Sequence, residues 1–203
     1  MAQKAKSENL PNWVNPLLQG LAFWLGYKKE YYRHYPLSEG AIIGEGVELI
    51  SANLGDNLQL LCEYGYKNIP GLKGMAKDRI DLAIRQKPKN DKAKDKLEYA
   101  IEVKRYESSY MQIDEDLKRL YAIKKSNNAI RCFLLIVSQY AIPRRFIDDK
   151  KREFIAGDIK KYNDEQYRVR VKRVCKAFSS FRQESSPKSG HYACLLEVLL
   201  PNK

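Results

Sequence analysis

Hydrophobic and polar positions change rhythm along the chain, and the rhythm predicts the elements. Over residues 13–33, WVNPLLQGLAFWLGYKKEYYR, the apolar residues Trp13, Leu17, Leu21, Trp24 and Leu25 recur at helical spacing before a basic, Tyr-rich end, which predicts an N-terminal helix. A second helical pattern opens after PLSEG, where Pro36 and Ser38 are start signals, and runs through AIIGEGVELISANL until Gly55 and Asp56 stop it. Ile43, Val47, Ile50 and Leu54 form its expected inward face. The period then shortens. LQLLCEYGY (58–66), RIDLAIR (79–85), LEYAIEVKRY (97–106) and RCFLLIVSQ (131–139) are short runs rich in Leu, Ile, Val and Tyr, bounded by Gly, Pro, Asn and Lys, and read as strands.

Between the third and fourth strands, MQIDEDLKRLYAIKKS repeats Ile113, Leu117, Leu120 and Tyr121 at helical spacing, with acids early and lysines late as a helix dipole prefers. The charge run KPKNDKAKDK (87–96) reads as a solvated hairpin loop. After residue 140, IPRRFIDDKKREFIAGDIKKY predicts another helix, then QYRVRVKRVCKAF and HYACLLEVLL predict two strands separated by the Ser-rich SSFRQESSPKSG. The expected fold is α/β, a mixed central sheet flanked by helices. Its core, about 38–140, runs helix, three strands, helix, strand. A helical extension (1–37) precedes it and a C-terminal extension (141–203) follows, all in one domain spanning 1–203, since this length suits one core better than two.

Charge adds a partner to this picture. There are 37 Lys and Arg against 25 Asp and Glu, a formal net charge of +12, and the cations are spread through periodic segments rather than confined to a tail. A polyanion such as nucleic acid fits that distribution. The longest apolar stretch, PLLQGLAFWLGY, falls short of the roughly 20 residues a membrane span needs, and the start of the chain has no apolar signal-peptide core, so the expectation is a soluble, cytoplasmic protein without a membrane partner. Cys62, Cys132, Cys175 and Cys194 lie far apart with no C-x-x-C pair, and read as buried free thiols. His34 and His191 are the only histidines, which leaves little for His-based metal cages, and no phosphate-binding G-x-x-x-x-G-K-[ST] loop occurs.

The chemistry concentrates in YAIEVKR. Strand alternation sets Tyr99, Ile101 and Val103 on one face and Ala100, Glu102 and Lys104 on the other. In the preceding strand Ile80, Leu82 and Ile84 share a face while Asp81 points the opposite way, so a hairpin can bring Asp81 near Glu102. Two carboxylates at one place repel unless a cation lies between them, and a divalent metal is such a cation. The bland alternative is a solvated pair of Glu102 and Lys104, worth about 0–1 kcal/mol. A central strand in a covered sheet has no wet face, and Ala100 fits a packed position.

Asp81, a gap of 20 residues, then Glu102-Val103-Lys104 resembles the D…(D/E)-x-K pattern of the PD-(D/E)XK nuclease superfamily, to which many restriction endonucleases belong. The predicted order of elements is similar to that superfamily's core. Ile80, preceded by Arg79, stands where the pattern often has proline. The resemblance implies Mg²⁺-dependent phosphodiester hydrolysis, with Mn²⁺ as a substitute. Asp81 and Glu102 would bind metal together with the Val103 carbonyl, and Lys104 would orient the attacking water and stabilise developing charge. It also implies an acid from the first core helix: Glu39 falls on the apolar face, Glu45 flanks it and Glu48 points away, and the choice between Glu39 and Glu45 stays open. Gln112, on the following helix, is expected within reach of the site.

Candidate nucleic-acid contacts are Lys73 and Lys77 in the glycine-rich turn before Asp81, Arg79, Arg105, Gln112, and the alternating Arg168, Arg170 and Lys172. The last three form either a phosphate-contacting stripe or the protected solvent face of an edge strand. Tyr27, Tyr31, Tyr32 and Tyr35, interleaved with Lys28, Lys29 and Arg33, fit a helix end covering the core better than a base-stacking platform. The leading expectation is a DNA endonuclease of restriction, phage defence or repair, with RNA open as substrate and a two-fold homodimer compatible with double-strand cutting. A non-cutting binding module of the same fold is the alternative. A basic RNA-bound structural protein is a third, for which no aromatic RNP-type signature is present.

Overall fold

The computed structural model describes residues 10–31, 37–72, 79–88, 96–139, 141–148, 153–154, 158–162, 165–177 and 190–201. Helix α1 (Val14–Tyr31) buries Val14, Leu17, Leu18, Leu21, Ala22 and Leu25, the apolar stripe its spacing predicts, and Trp13, just before the helix, is buried beside them. Helix α2 (Glu39–Ser51) starts where Ser38 caps it, the serine hydroxyl accepting the Ala41 N–H at 3.1 Å. Its buried line is Ile42, Gly46 and Ile50; Ile43 and Val47 pack only partly, so the inward face is rotated from the expected one. The cause is α1. A Cβ at Gly20 would lie 2.5 Å from Leu49 Cδ2, so the two helices approach at that glycine and share a core.

Strands β1 (Leu58–Gly65), β2 (Arg79–Gln86) and β3 (Leu97–Arg105) follow, then α3 (Tyr110–Ser126) and β4 (Arg131–Ser138). This matches the expected order and, within a residue or two, the expected bounds. Residues 147–162 depart from it. Where a helix was expected, β5 (Ile147–Asp148) and β6 (Glu153–Phe154) form a small separate ladder and β7 (Asp158–Tyr162) joins the main sheet. The reason lies in β8 (Glu165–Ala177), whose edge pairs with β7 from Asp158↔Val169 to Tyr162↔Glu165. Tertiary pairing thus overrides a weak local helical pattern. The chain then returns as β9 (His191–Leu199).

The main sheet has seven strands in the order β1-β2-β3-β4-β9-β8-β7. It is mixed: β3 and β4 run parallel, joined by the crossover through α3, and the other described pairs are antiparallel. Each face carries its own core. One holds α1 and α2 with Leu82, Ile84, Ile101, Val103, Phe133 and Leu135. The other holds α3, through Ile113, Leu117 and Leu120, with Ala83, Ala100, Cys132, Leu134 and Ile136. Of the cysteines, Cys132 and Cys194 are buried as expected, Cys175 is half-buried, and Cys62 is exposed on edge strand β1. Among the described residues no helix is long and apolar enough to cross a membrane.

Candidate active site

The register of β2 against β3 pairs Leu82 with Ile101 and Ala83 with Ala100, which sets Asp81 opposite Glu102. Asp81 Oδ2 accepts the Val103 N–H at 2.7 Å, tying the start of β2 to the next residue of β3. The described contact of Val103 is therefore through its amide, while its side chain is buried on the α1 face. Glu102 is 2 % exposed. The Tyr66 hydroxyl, in the single helical turn that ends β1, donates to Glu102 Oε1 at 2.7 Å, and Arg119 Nε lies 3.6 Å from the same oxygen.

Burial and the neighbouring Asp81 charge raise the Glu102 carboxyl to about 8, against the pull of Tyr66 and Arg119. The same burial, with the adjacent carboxylate, pushes the Tyr66 phenol far above its ordinary range and keeps it a donor. Lys104 projects from the same face two residues on. Its Nζ donates to Glu39 Oε2 at 3.1 Å and lies 3.4 Å from Asp116 Oδ2. Burial works against the Lys104 charge, but Asp116 and Glu39 outweigh it and raise its pKa.

Of the two acids left open on α2, Glu39 is the one that contacts Lys104. It stands in the first turn, where its charge complements the helix dipole, and its Oε1 also accepts from Ser108 Oγ at 3.1 Å and the Arg105 N–H at 3.4 Å. Glu45, nearly two turns along, is half-buried and makes no described contact with Lys104. Gln112 is spent elsewhere: its Oε1 accepts from Ser109 N and Oγ at 3.1 and 3.2 Å, closing the capping box of α3 instead of reaching the site.

Three residues at this place had no part in the sequence expectation. Asp116 is 1 % exposed, pairs with both Lys104 and Arg119, and has its carboxyl raised by burial despite them. Arg119 joins Asp116 to Glu102, and Tyr66 donates to the same Glu102 oxygen that Arg119 approaches. A signal for Asp116 exists in the sequence. It falls three residues after Ile113 and one before Leu117, on the buried face of an amphipathic helix where a charge needs a partner. Tyr66 gives no such signal.

The remaining candidates lie apart from this cluster. Lys73 and Lys77 are outside the described residues. Arg79 is 64 % exposed and sits 4.0 Å from Glu63, and Arg105 pairs with Glu107 at 3.5 Å. Glu63, opposite Asp81 on β1 by register, takes a left-handed φ of 52°. Arg168, Arg170 and Lys172 lie on β8, which pairs with β9 on one side and, from Glu165 to Val169, with β7 on the other, so the edge-strand reading of that stripe fails at Arg168. Among the described residues no three His, Cys, Asp or Glu converge closely enough to hold a metal ion by themselves. No family model matches this chain, and neither a curated protein nor a solved structure matches it significantly.

Proposed function

We propose that the chain is a metal-dependent nuclease of the PD-(D/E)XK type that hydrolyses phosphodiester bonds in DNA. The observation that carries this reading is the convergence of Asp81 and Glu102 on adjacent strands with Lys104 on the same face, its ammonium held by Glu39. A solvated ion pair does not account for it, because Glu102 is buried and lies against a second carboxylate.

The donor set fits Mg²⁺. Among the described residues, contacts to Asp81 fall on Oδ2 and those to Glu102 on Oε1, leaving one oxygen of each carboxylate for a cation. Two carboxylates with water and a substrate phosphate are the usual surroundings of that ion, which explains why no third protein acid is required. Bound there, Mg²⁺ would supply charge neutralisation at the scissile phosphate and a lower pKa for the attacking water.

The chain's own residues then have distinct tasks. Lys104, kept protonated by Asp116 and Glu39, has three N–H donors, of which two face those acids; the third can meet a phosphate oxygen or the attacking water. Tyr66 and Arg119 fix the Glu102 rotamer. Asp116 is a positioning residue that ties Lys104 to α3.

The test is cleavage by the purified chain of plasmid, linear, branched and single-stranded DNA, and of RNA, with Mg²⁺ or Mn²⁺ and with EDTA. Metal-dependent cutting is expected, with Asp81→Asn, Glu102→Gln and Lys104→Ala each slowing it at least about a hundredfold while DNA affinity persists. If the wild-type chain cuts none of these with either metal, the binding-module reading replaces this one.

A further inference from the structure

A cavity of about 660 Å³ opens at the end of the sheet remote from Asp81 and Glu102, lined by Lys124, Arg131, Arg168 and Arg170 around one carboxylate, Glu197. Register fixes its distance. Along the parallel pair β3–β4, Tyr99 faces Arg131 and Glu102 faces Leu134, three residues on. At roughly 3.3 Å per residue this sets Arg131 about 10 Å from Glu102 along the strands. The faces differ as well. Arg131 alternates with Phe133 and Leu135 on the α1 side, and Arg170 stands opposite Glu197 in the strand register on that side, whereas Glu102 and Lys104 face α3.

The charges around this cavity are not equivalent. Glu197 is 3 % exposed and receives a two-pronged ion pair from Arg131, Nε to Oε1 at 2.8 Å and Nη2 to Oε2 at 3.0 Å. Lys172 adds a third contact at 3.3 Å. Lys124 donates to the Asn128 and Ile130 carbonyls at 2.7 and 2.9 Å. The internal acid is therefore already countered. Among the described residues, the side chains of Arg168 and Arg170 form no hydrogen bond or ion pair. Two guanidinium groups remain at the cavity wall with no anionic partner among the described residues, Glu197 being held by Arg131 and Lys172, and such forks match phosphate oxygens two at a time. Leu199 and Pro201 form an apolar wall beside them.

We propose that this cavity binds a phosphorylated ligand of nucleotide size, its phosphates on Arg168 and Arg170 and its apolar part against Leu199 and Pro201. The volume lies within the roughly 300–1,000 Å³ of small-molecule pockets. A half-open recess of this volume with one apolar wall suits a nucleotide better than a duplex backbone, which asks for cations spread along a surface. The site stands whether or not the chain cuts DNA.

The test is calorimetric titration of the full chain in EDTA, which silences metal-dependent chemistry, using ATP, inorganic pyrophosphate and a short DNA duplex. ATP is expected to bind one site more tightly than pyrophosphate does. Arg168→Ala and Arg170→Ala should each weaken ATP at least tenfold, with melting curves without ligand as the folding control, and Arg170→Lys should fall between, keeping charge but losing the fork. The proposal is overturned if wild type binds no ATP, if the alanine variants bind it as tightly as wild type, if pyrophosphate matches ATP, or if the duplex alone depends on these arginines.

Discussion

Along β3, Ile101 and Val103 sit in a dry core against α1 and α2, while Glu102 and Lys104, the residues that alternate with them, sit among Tyr66, Asp116, Arg119 and Glu39. Both faces of the same strand are covered, so exposure does not distinguish them. What differs is how each meets the cost of burial. The α1 face removes apolar area from water, worth about 25 cal/mol per Å². The α3 face buries charges and must pair every one of them, an arrangement that adds little net stability but holds side chains in place. A folding core needs only the first kind of face; the second makes sense where oriented charges are put to use.

Substitutions can break this contrast. On the dry side, Phe133→Ala should cost about 3–5 kcal/mol of unfolding free energy through the cavity it leaves. On the charged side, Asp116→Ala should cost less, about 2 kcal/mol, because Lys104 keeps Glu39 and Arg119 keeps Glu102, yet it should slow cleavage where Phe133→Ala leaves the turnover of folded protein alone. Urea denaturation beside cleavage rates separates the two, and equal effects on both readouts would erase the distinction.

A pH series sharpens it. Glu102 titrates at about 8 in the folded chain against an ordinary 4.5, so between these values the folded state holds a proton that the unfolded state has released. This contribution is fully present below about pH 4.5 and is lost as pH rises through about 8. In metal-free buffer Glu102→Gln should remove that decline and exceed wild type at pH 8 by the order of a few kcal/mol. Identical pH slopes for the two proteins would refute the buried, repelled carboxylate. The smallest effect is expected at Glu63, whose left-handed backbone beside Asp81 costs a non-glycine residue about 1 kcal/mol. Glu63→Gly should recover roughly that amount, read as a higher urea midpoint.

Much of the fold was legible in the sequence. The two periodicities separated helices from strands through residue 138, because each of those elements buries one clear face. The segment after residue 140 departs from the expected helix because its strands are short and gain their order from pairing, β7 with β8 and β5 with β6, which the local pattern does not contain. Within the site, Asp81, Glu102 and Lys104 could be found because strand alternation converts spacing into direction. Glu39 could not be separated from Glu45, since a helical wheel ranks faces but not ends, and only the first turn of α2 reaches Lys104. Asp116 and Arg119 depend on how α3 crosses the sheet, a tertiary fact. The basic stripe on β8 was visible, but its place depended on whether β8 lay at an edge.

The strand order also has a consequence for synthesis. β4 is flanked by β3 on one side and by β9 on the other, and β9 is separated from β4 by more than fifty residues of sequence. A nascent chain that has completed β1 to β4 therefore carries an open, strongly apolar edge until His191–Leu199 leaves the ribosome, and a product truncated before that segment would retain the edge as a template for pairing with other chains.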